Sequence, residues 1–266
     1  WPGQALEEGL KKALQWLYCR LPSAPYRQLR PYFELNSGRS LVMALRLHRA
    51  EKTGNLRRLL QQSLLHPEIG SLFLQTERPE DLVAQLDVVL VPEYPELAGL
   101  ATVYAEQGPG GVEELIAAGL LRRACLTARM VPLQILVTHL VDLRNFLTIG
   151  KYWRWQVSQD PPLVEGGTVS RTRLQRFWSA RDEAGLAHLV ARLARQPEPP
   201  QDARSMELCL LRGMTAEMQR WGQDPLGLGV LLDYLWRCQV AVSNRALTRI
   251  RAGGTELFFD DLKVTV

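Results

Sequence analysis

Four histidines, His48, His66, His139 and His188, are the first side chains to weigh for chemistry, because a neutral imidazole can ligate a metal or move a proton near neutral pH. None has a second imidazole or a pair of carboxylates at ligand spacing, so each reads as a surface or core histidine. The adjacent carboxylates Glu113-Glu114 and Asp260-Asp261 point to different faces of a helix or strand and read as solvated charge. Gly108-Pro109-Gly110-Gly111 precedes a helix expected to start near Val112, where free N–H groups can hold an anion. Glu113 and Glu114 already occupy that positive helix end, so the stretch reads as a helix-initiating turn. No GxxxxGK(S/T) loop, GxGxxG turn, GxSxG elbow or HExxH helix is present. No enzyme activity is expected from these residues, and no catalytic residue, cofactor site or metal site is assigned.

Lys151, Tyr152, Trp153, Arg154 and Trp155 form an aromatic-basic strip with two readings. Such a strip can stack bases and neutralise phosphates. It can equally be a helix end that lays its rings on a neighbour while its charges reach water, and this second reading is preferred. Cys19, Cys125, Cys209 and Cys238 lie far apart among apolar residues, which excludes a CxxC pair or a dense disulfide framework and implies a reducing compartment.

The elements that must position these residues are helices. The 266 residues are 46% hydrophobic, enough for one large core or two to three small ones. Apolar residues recur at helical spacing, as at Leu41, Ala44, Leu45 and His48 and again at Leu56, Leu59 and Leu60, while two-residue alternation is rare. Connections are expected at residues 21–25, 66–70, 91–95, 107–111, 159–167, 196–200 and 222–225, where Pro and Gly cluster. The clearest helix starts at Asp224 with Pro225 in its first turn, runs to about Arg251 and ends on Gly253 and Gly254. Its half from Leu226 to Trp236 is apolar nearly all round and is expected to be buried. No apolar run reaches the roughly 18 residues that cross a bilayer. The chain opens on Trp1 with no signal pattern, so the natural N-terminus is expected to lie ahead of it.

Charge is mildly basic, with 32 Lys and Arg against 28 Asp and Glu spread along the chain, which argues against a dedicated nucleic-acid binder. Only five of the basic residues are Lys, so 27 are Arg, a bias that suits bidentate carboxylate pairing and that a GC-rich genome explains equally well. Asn55-Leu56-Arg57, Asp142-Leu143-Arg144 and Asn244-Arg245-Ala246-Leu247 each close an apolar helical run, at intervals that suggest a threefold internal repeat. The corresponding units are 1–91 (incomplete at its N-terminus), 92–160 and 161–266.

Gln223-Asp224-Pro225-Leu226-Gly227-Leu228-Gly229-Val230-Leu231-Leu232-Asp233-Tyr234-Leu235, continuing to an Arg-rich end, resembles the C-terminus of the C-subunit family of V/A-type ATPases (ATP synthases), whose eukaryotic counterpart is the V-ATPase d-subunit. Asp142-Leu143-Arg144-Asn145 resembles the family's "N-L-R" helix motif, and Val164-Glu165-Gly166-Gly167 followed by Arg171, Leu174 and Phe177 resembles its "GG" turn before a helix. Asn55-Leu56-Arg57-Arg58-Leu59-Leu60 resembles the first copy. The likeness is strongest from Val131 to Val266; Asp142 replaces the usual Asn, and the chain is shorter than typical members. The resemblance implies an all-α protein of repeated helical-bundle units in a funnel with pseudo-threefold symmetry. It implies a non-catalytic central-stalk protein at the cytoplasmic face of the membrane. Its partners would be the central shaft subunits and the proteolipid rotor ring, which it couples during proton or sodium transport without entering lipid. Arg57, Arg144, Arg245 and Arg249 are the candidate interface residues. In the other reading these motif positions hydrogen-bond one helix to the next within each repeat. The alternative function is a helical-repeat scaffold for some other protein partner.

Overall fold

The computed structural model describes the backbone of residues 2–223 and 227–251, and side-chain surroundings for residues 9–202, 205–223 and 227–241. Among these residues the chain is all-α, as expected, with eleven helices, one short 3-10 turn and no strand. The helices are α1 (Pro2–Arg20), α2 (Ser23–Arg49), α3 (Thr53–Gln62), α4 (Pro67–Gln75), α5 (Pro79–Leu90), α6 (Leu100–Thr127), α7 (Val131–Arg154), α8 (Arg171–Ala180), α9 (Glu183–Leu193), α10 (Ala203–Trp221) and α11 (Leu228–Arg251). The expected start at Asp224-Pro225 and the stop at Gly253-Gly254 lie outside the described residues.

Two compact units emerge, one built from residues 2–127 and 241–251, the other from residues 128–240. The boundary expected at 91/92 falls just after α5 and that at 160/161 in the loop after α7. In the first unit α2 packs on α3 and α6, and α5 on α6, around Leu29, Tyr32, Phe33, Leu82, Leu86 and Ile116. In the second, α10 packs on α7 and α9, around Leu133, Leu136, Phe146, Leu174, Leu186 and Trp236. The indole N–H of Trp236 donates to Thr215 Oγ1 at 3.1 Å, which satisfies its one polar atom inside this core. The apolar stretch that begins at Val131 lies in α7, which buries Leu133, Leu136, Val137, Val141, Leu143, Phe146 and Ile149 while Val131 stays 51% exposed. No helix among the described residues is long and apolar enough to cross a membrane.

Helix starts follow the side chains. His66 Nδ1 accepts from Glu68 N with Pro67 next in the chain, so α4 begins where the sequence suggested a longer connection. Asp182 accepts from Gly185 N at 2.8 Å, and Asp202 with Ser205 makes a reciprocal capping box. Inside α6, Gly108 takes φ 70 and ψ −164, so the expected break at 107–111 is a kink and the second helical segment resumes at Pro109, ahead of Val112.

Helix ends do not follow the glycines. Glu51, Gln156, Arg181 and Arg195 all have left-handed φ values, between 49 and 54°, just past α2, α7, α8 and α9. At each, the following N–H reaches five residues back: Lys52 to Leu47, Val157 to Tyr152, Asp182 to Phe177 and Gln196 to Ala191, at 2.8 to 3.1 Å. This is the Schellman arrangement with a side chain where glycine usually sits. A left-handed residue bearing Cβ costs roughly 1–2 kcal/mol, which the closed carbonyls and the tight turns offset.

In α11 one face is buried, through Leu232, Asp233, Leu235 and Trp236, while Val230 and Tyr234 remain 47% and 53% exposed. The expectation that this half is buried is therefore corrected for its described residues: position along one stripe decides burial there, and Val230 and Tyr234 stay in solvent.

Because the strain at the left-handed caps is local, Gln156→Gly and Arg181→Gly should each raise the unfolding free energy by about 1 kcal/mol in urea titrations. A loss of stability in both would contradict the cap assignment.

Candidate functional site

The loop of residues 157–170 poses the sharpest physical problem in the second unit. Leu163, Val164 and Val169 are 7%, 2% and 5% exposed, so the loop turns apolar side chains inward and carries its backbone out of water with them. It has neither helix nor strand to satisfy that backbone. The partners come from α7. Asn145, fully buried, donates from Nδ2 to Val164 O and accepts from Val164 N at Oδ1, both at 2.8 Å. Its amide thereby stands where a neighbouring strand's peptide would stand. Asp142, three residues earlier on the same helix face, accepts from Thr168 N at Oδ2 (2.9 Å) and from Val169 N at Oδ1 (3.1 Å). Gly166 takes φ 103 to make the turn. A Cβ on Gly167 would collide with the Asp142 carboxylate, so only glycine lets the loop lie this close.

Two sequence segments singled out separately, Asp142-Leu143-Arg144-Asn145 and Val164-Glu165-Gly166-Gly167, thus form one polar latch. Burial holds the Asp142 carboxyl above its ordinary range, against the opposing pull of its hydrogen bonds from Thr168 and Val169 and of nearby His139. Burial likewise lowers His139.

Arg144 lies on the same helix and is only 4% exposed. Arg57 is exposed on α3, as is Asn55, so the first two copies of the motif occupy different surroundings. Arg245 lies on the α11 backbone and so does Arg249, but their side chains are outside the described residues. Arg57 belongs to the first unit and Arg144 to the second.

The first unit holds a device of the same kind that sequence reading missed. Asp87 on α5 accepts from Gly99 N at 3.2 Å and from Ala101 N at 3.3 Å, clasping the start of α6 just after left-handed Gly99. The signal for it was an acid inside the apolar run Leu86-Asp87-Val88. Also missed was an ion network. Glu34, 8% exposed, accepts from Arg30 Nε at 2.7 Å and from Arg123 Nε at 3.1 Å; Arg30 also reaches Glu93, and Arg123 reaches Glu96. The guanidinium of Arg123 sits 4.8 Å over the ring of Tyr94. Only the four-residue spacing of Arg30 and Glu34 is visible in the sequence.

The remaining candidates resolve into packing. Trp153 stacks on Trp178 and Tyr152 meets it edge-on, at 6.2 and 6.0 Å, while Trp178 donates to Asp160 at 3.1 Å. This agrees with the helix-end reading of the aromatic-basic strip, though Trp155 stays 60% exposed. Glu113, read as solvated charge, is instead half-buried and paired with Arg46 of α2 at 2.5 Å, on the segment of α6 that follows the Gly108 kink. His48 contacts Thr76 O at 2.7 Å. Among the described residues no three His, Cys, Asp or Glu side chains gather as a metal site, and the four cysteines are unbridged. Asp260-Asp261 lies outside the described residues. No family model matches the chain, and neither any curated protein nor any solved structure does.

Asn145→Ala should cost about 2–4 kcal/mol, since two buried backbone groups lose their partners at once. For Asp142 the sign is set by a raised folded-state value. The carboxyl's contribution to stability is complete at pH below its unfolded value, near 3.8, and is lost as pH rises through the folded value. Urea titrations across that range should show wild type losing stability relative to Asp142→Asn as pH increases; a flat difference would contradict the burial of this group.

Proposed function

We propose that this chain is a non-catalytic central-stalk component of a V/A-type rotary ATPase, seated between the central shaft and the membrane proteolipid ring. The observation that carries the reading is the latch. Two of the motifs that carry the resemblance, separated by some twenty residues, are joined by four hydrogen bonds at one buried place. That gives a physical reason for the motifs to occur together. It also favours helix-to-loop bonding as the role of Asp142 and Asn145, with the interface left to the Asn55-Leu56-Arg57 copy, where Asn55 and Arg57 are exposed, and to the arginines of α11. In this proposal the helical units form a pseudo-threefold funnel that receives the shaft. Torque passes through stiff helices whose ends are fixed by capped turns and buried polar clasps.

Arg57, Arg245 and Arg249 are the interface anchors in this reading. Arg144, 4% exposed within the second unit, offers little surface to a partner and is not an anchor in this reading. An all-helical chain with no membrane-crossing helix among its described residues is compatible with a peripheral position on such a complex.

The full chain, co-expressed with shaft and ring proteins, should elute with the shaft in a stoichiometric complex. Arg245→Ala with Arg249→Ala should weaken that association about tenfold, as for loss of an interface anchor, with circular dichroism unchanged. Absence of any complex, or equal loss of helix content and binding, would overturn the reading.

A further inference from the structure

A cleft of about 380 Å³ opens in the first unit among α1, α2, α4 and α5. That volume falls at the lower end of the roughly 300–1,000 Å³ typical of small-ligand sites. Its floor is apolar, with Leu41, Leu90 and Leu97 all buried. Its walls carry four aromatic rings. Tyr18 meets Tyr26 and Phe33 edge-on at 5.4 and 5.7 Å, Tyr26 stacks with Phe33 at 5.9 Å, and Tyr94 is also in the lining. Burial pushes the phenols of Tyr26 and Tyr94 up to about 12, so both rings stay neutral with their electron-rich faces intact at any physiological pH.

The charges in the lining are lopsided. Glu34, Glu68 and Glu93 face a single guanidinium, Arg30, whose Nε and Nη2 are taken by Glu34 and Glu93. His66 Nδ1 lies 3.9 Å from the Glu68 carboxylate, and both side chains are exposed, at 72% and 64%. Arg123 reaches Glu34 from behind the lining but also reaches Glu96, so the excess of carboxylates remains. Within a chain of net charge +4 this is a negatively biased hollow. The biased carboxylates sit at the accessible edge: the side chains of Glu68 and Glu93 are 64% and 57% exposed, against 9% for Glu34. The fold already places one guanidinium on Tyr94, that of Arg123.

We propose that this cleft binds an organic cation, an ammonium or guanidinium carried on a short apolar stem, with the stem against the leucine floor and aromatic walls and the charge beside Glu68 and Glu93. The same chemistry is offered by a free aliphatic amine and by a Lys or Arg side chain of a partner segment. The site stands whether or not the chain couples a shaft to a ring.

The test follows the tyrosine ring resonances of the full chain by NMR while hexylammonium, hexan-1-ol or hexanoate is added. Hexylammonium should saturate and bind about tenfold tighter than hexan-1-ol, and hexanoate should be weakest. Raising ionic strength from about 0.01 M to about 0.15 M should weaken only the ammonium. Glu68→Gln with Glu93→Gln should reduce ammonium affinity about fivefold and leave hexan-1-ol unchanged, with circular dichroism confirming the fold. Agmatine binding as well as hexylammonium assigns the site to free amines; tighter binding of an N-acetylated, C-amidated lysine or arginine assigns it to a protein segment. Equal affinity for the three six-carbon probes, no saturation by hexylammonium, or indifference to the two glutamate changes would overturn the proposal.

Discussion

A peptide group removed from water must be hydrogen-bonded, and the second unit is organised around meeting that demand for a segment that is neither helix nor strand. Residues 157–170 bury Leu163, Val164 and Val169 because the core beside α7 is apolar. The same burial strands their N–H and C=O groups. Asp142 and Asn145 answer from the helix with four bonds, and the loop is then delivered to Ser170, whose hydroxyl caps α8. Removing the polar pair would leave apolar contacts that favour burial opposed by backbone groups that resist it. An unmade bond costs more than a made bond gains, so satisfaction of the loop governs whether it packs at all.

The first unit applies the same constraint to charge. Glu34 is buried at the junction of α2 with α6 and is tolerated there because two guanidiniums reach it. Such a pair gains little net stability once desolvation is counted, but losing one partner leaves an uncompensated charge. The network therefore works mainly by specifying how α2, α6 and the turn bearing Glu96 meet. It also leaves a cleft whose charge is opposite in sign to that of the chain as a whole.

Helix was legible throughout the sequence because 3.6-residue periodicity dominates, and Asp142, Asn145, Gly166 and Gly167 were all visible as motif residues. Their mutual contact was not, since nothing local to either segment encodes the other. Four helix ends were hidden for a different reason: Glu51, Gln156, Arg181 and Arg195 adopt the conformation that sequence reading assigns to glycine. The environment of each motif copy was also illegible. Asn55-Leu56-Arg57 and Asp142-Leu143-Arg144 look alike as strings, yet Arg57 is exposed and Arg144 buried, because burial depends on which helix face meets a neighbour. Tyr94 and Arg123 gave no signal because their partnership spans elements far apart in the chain.

Rigid helices, capped ends and clasped loops suit a part that transmits force between neighbours, and the proposed place in a rotary machine rests on that mechanical character together with the motif resemblance. The claim beneath it is that the α7 latch holds an otherwise irregular loop as firmly as a helix. Native-state hydrogen exchange at the amides of Val164, Thr168 and Val169 tests this most directly. Exchange as slow as that of the central α7 amides, at Leu143 and Phe146, is the predicted result. Exchange at the rate of exposed turns, such as those at Glu51 and Arg181, would contradict the account.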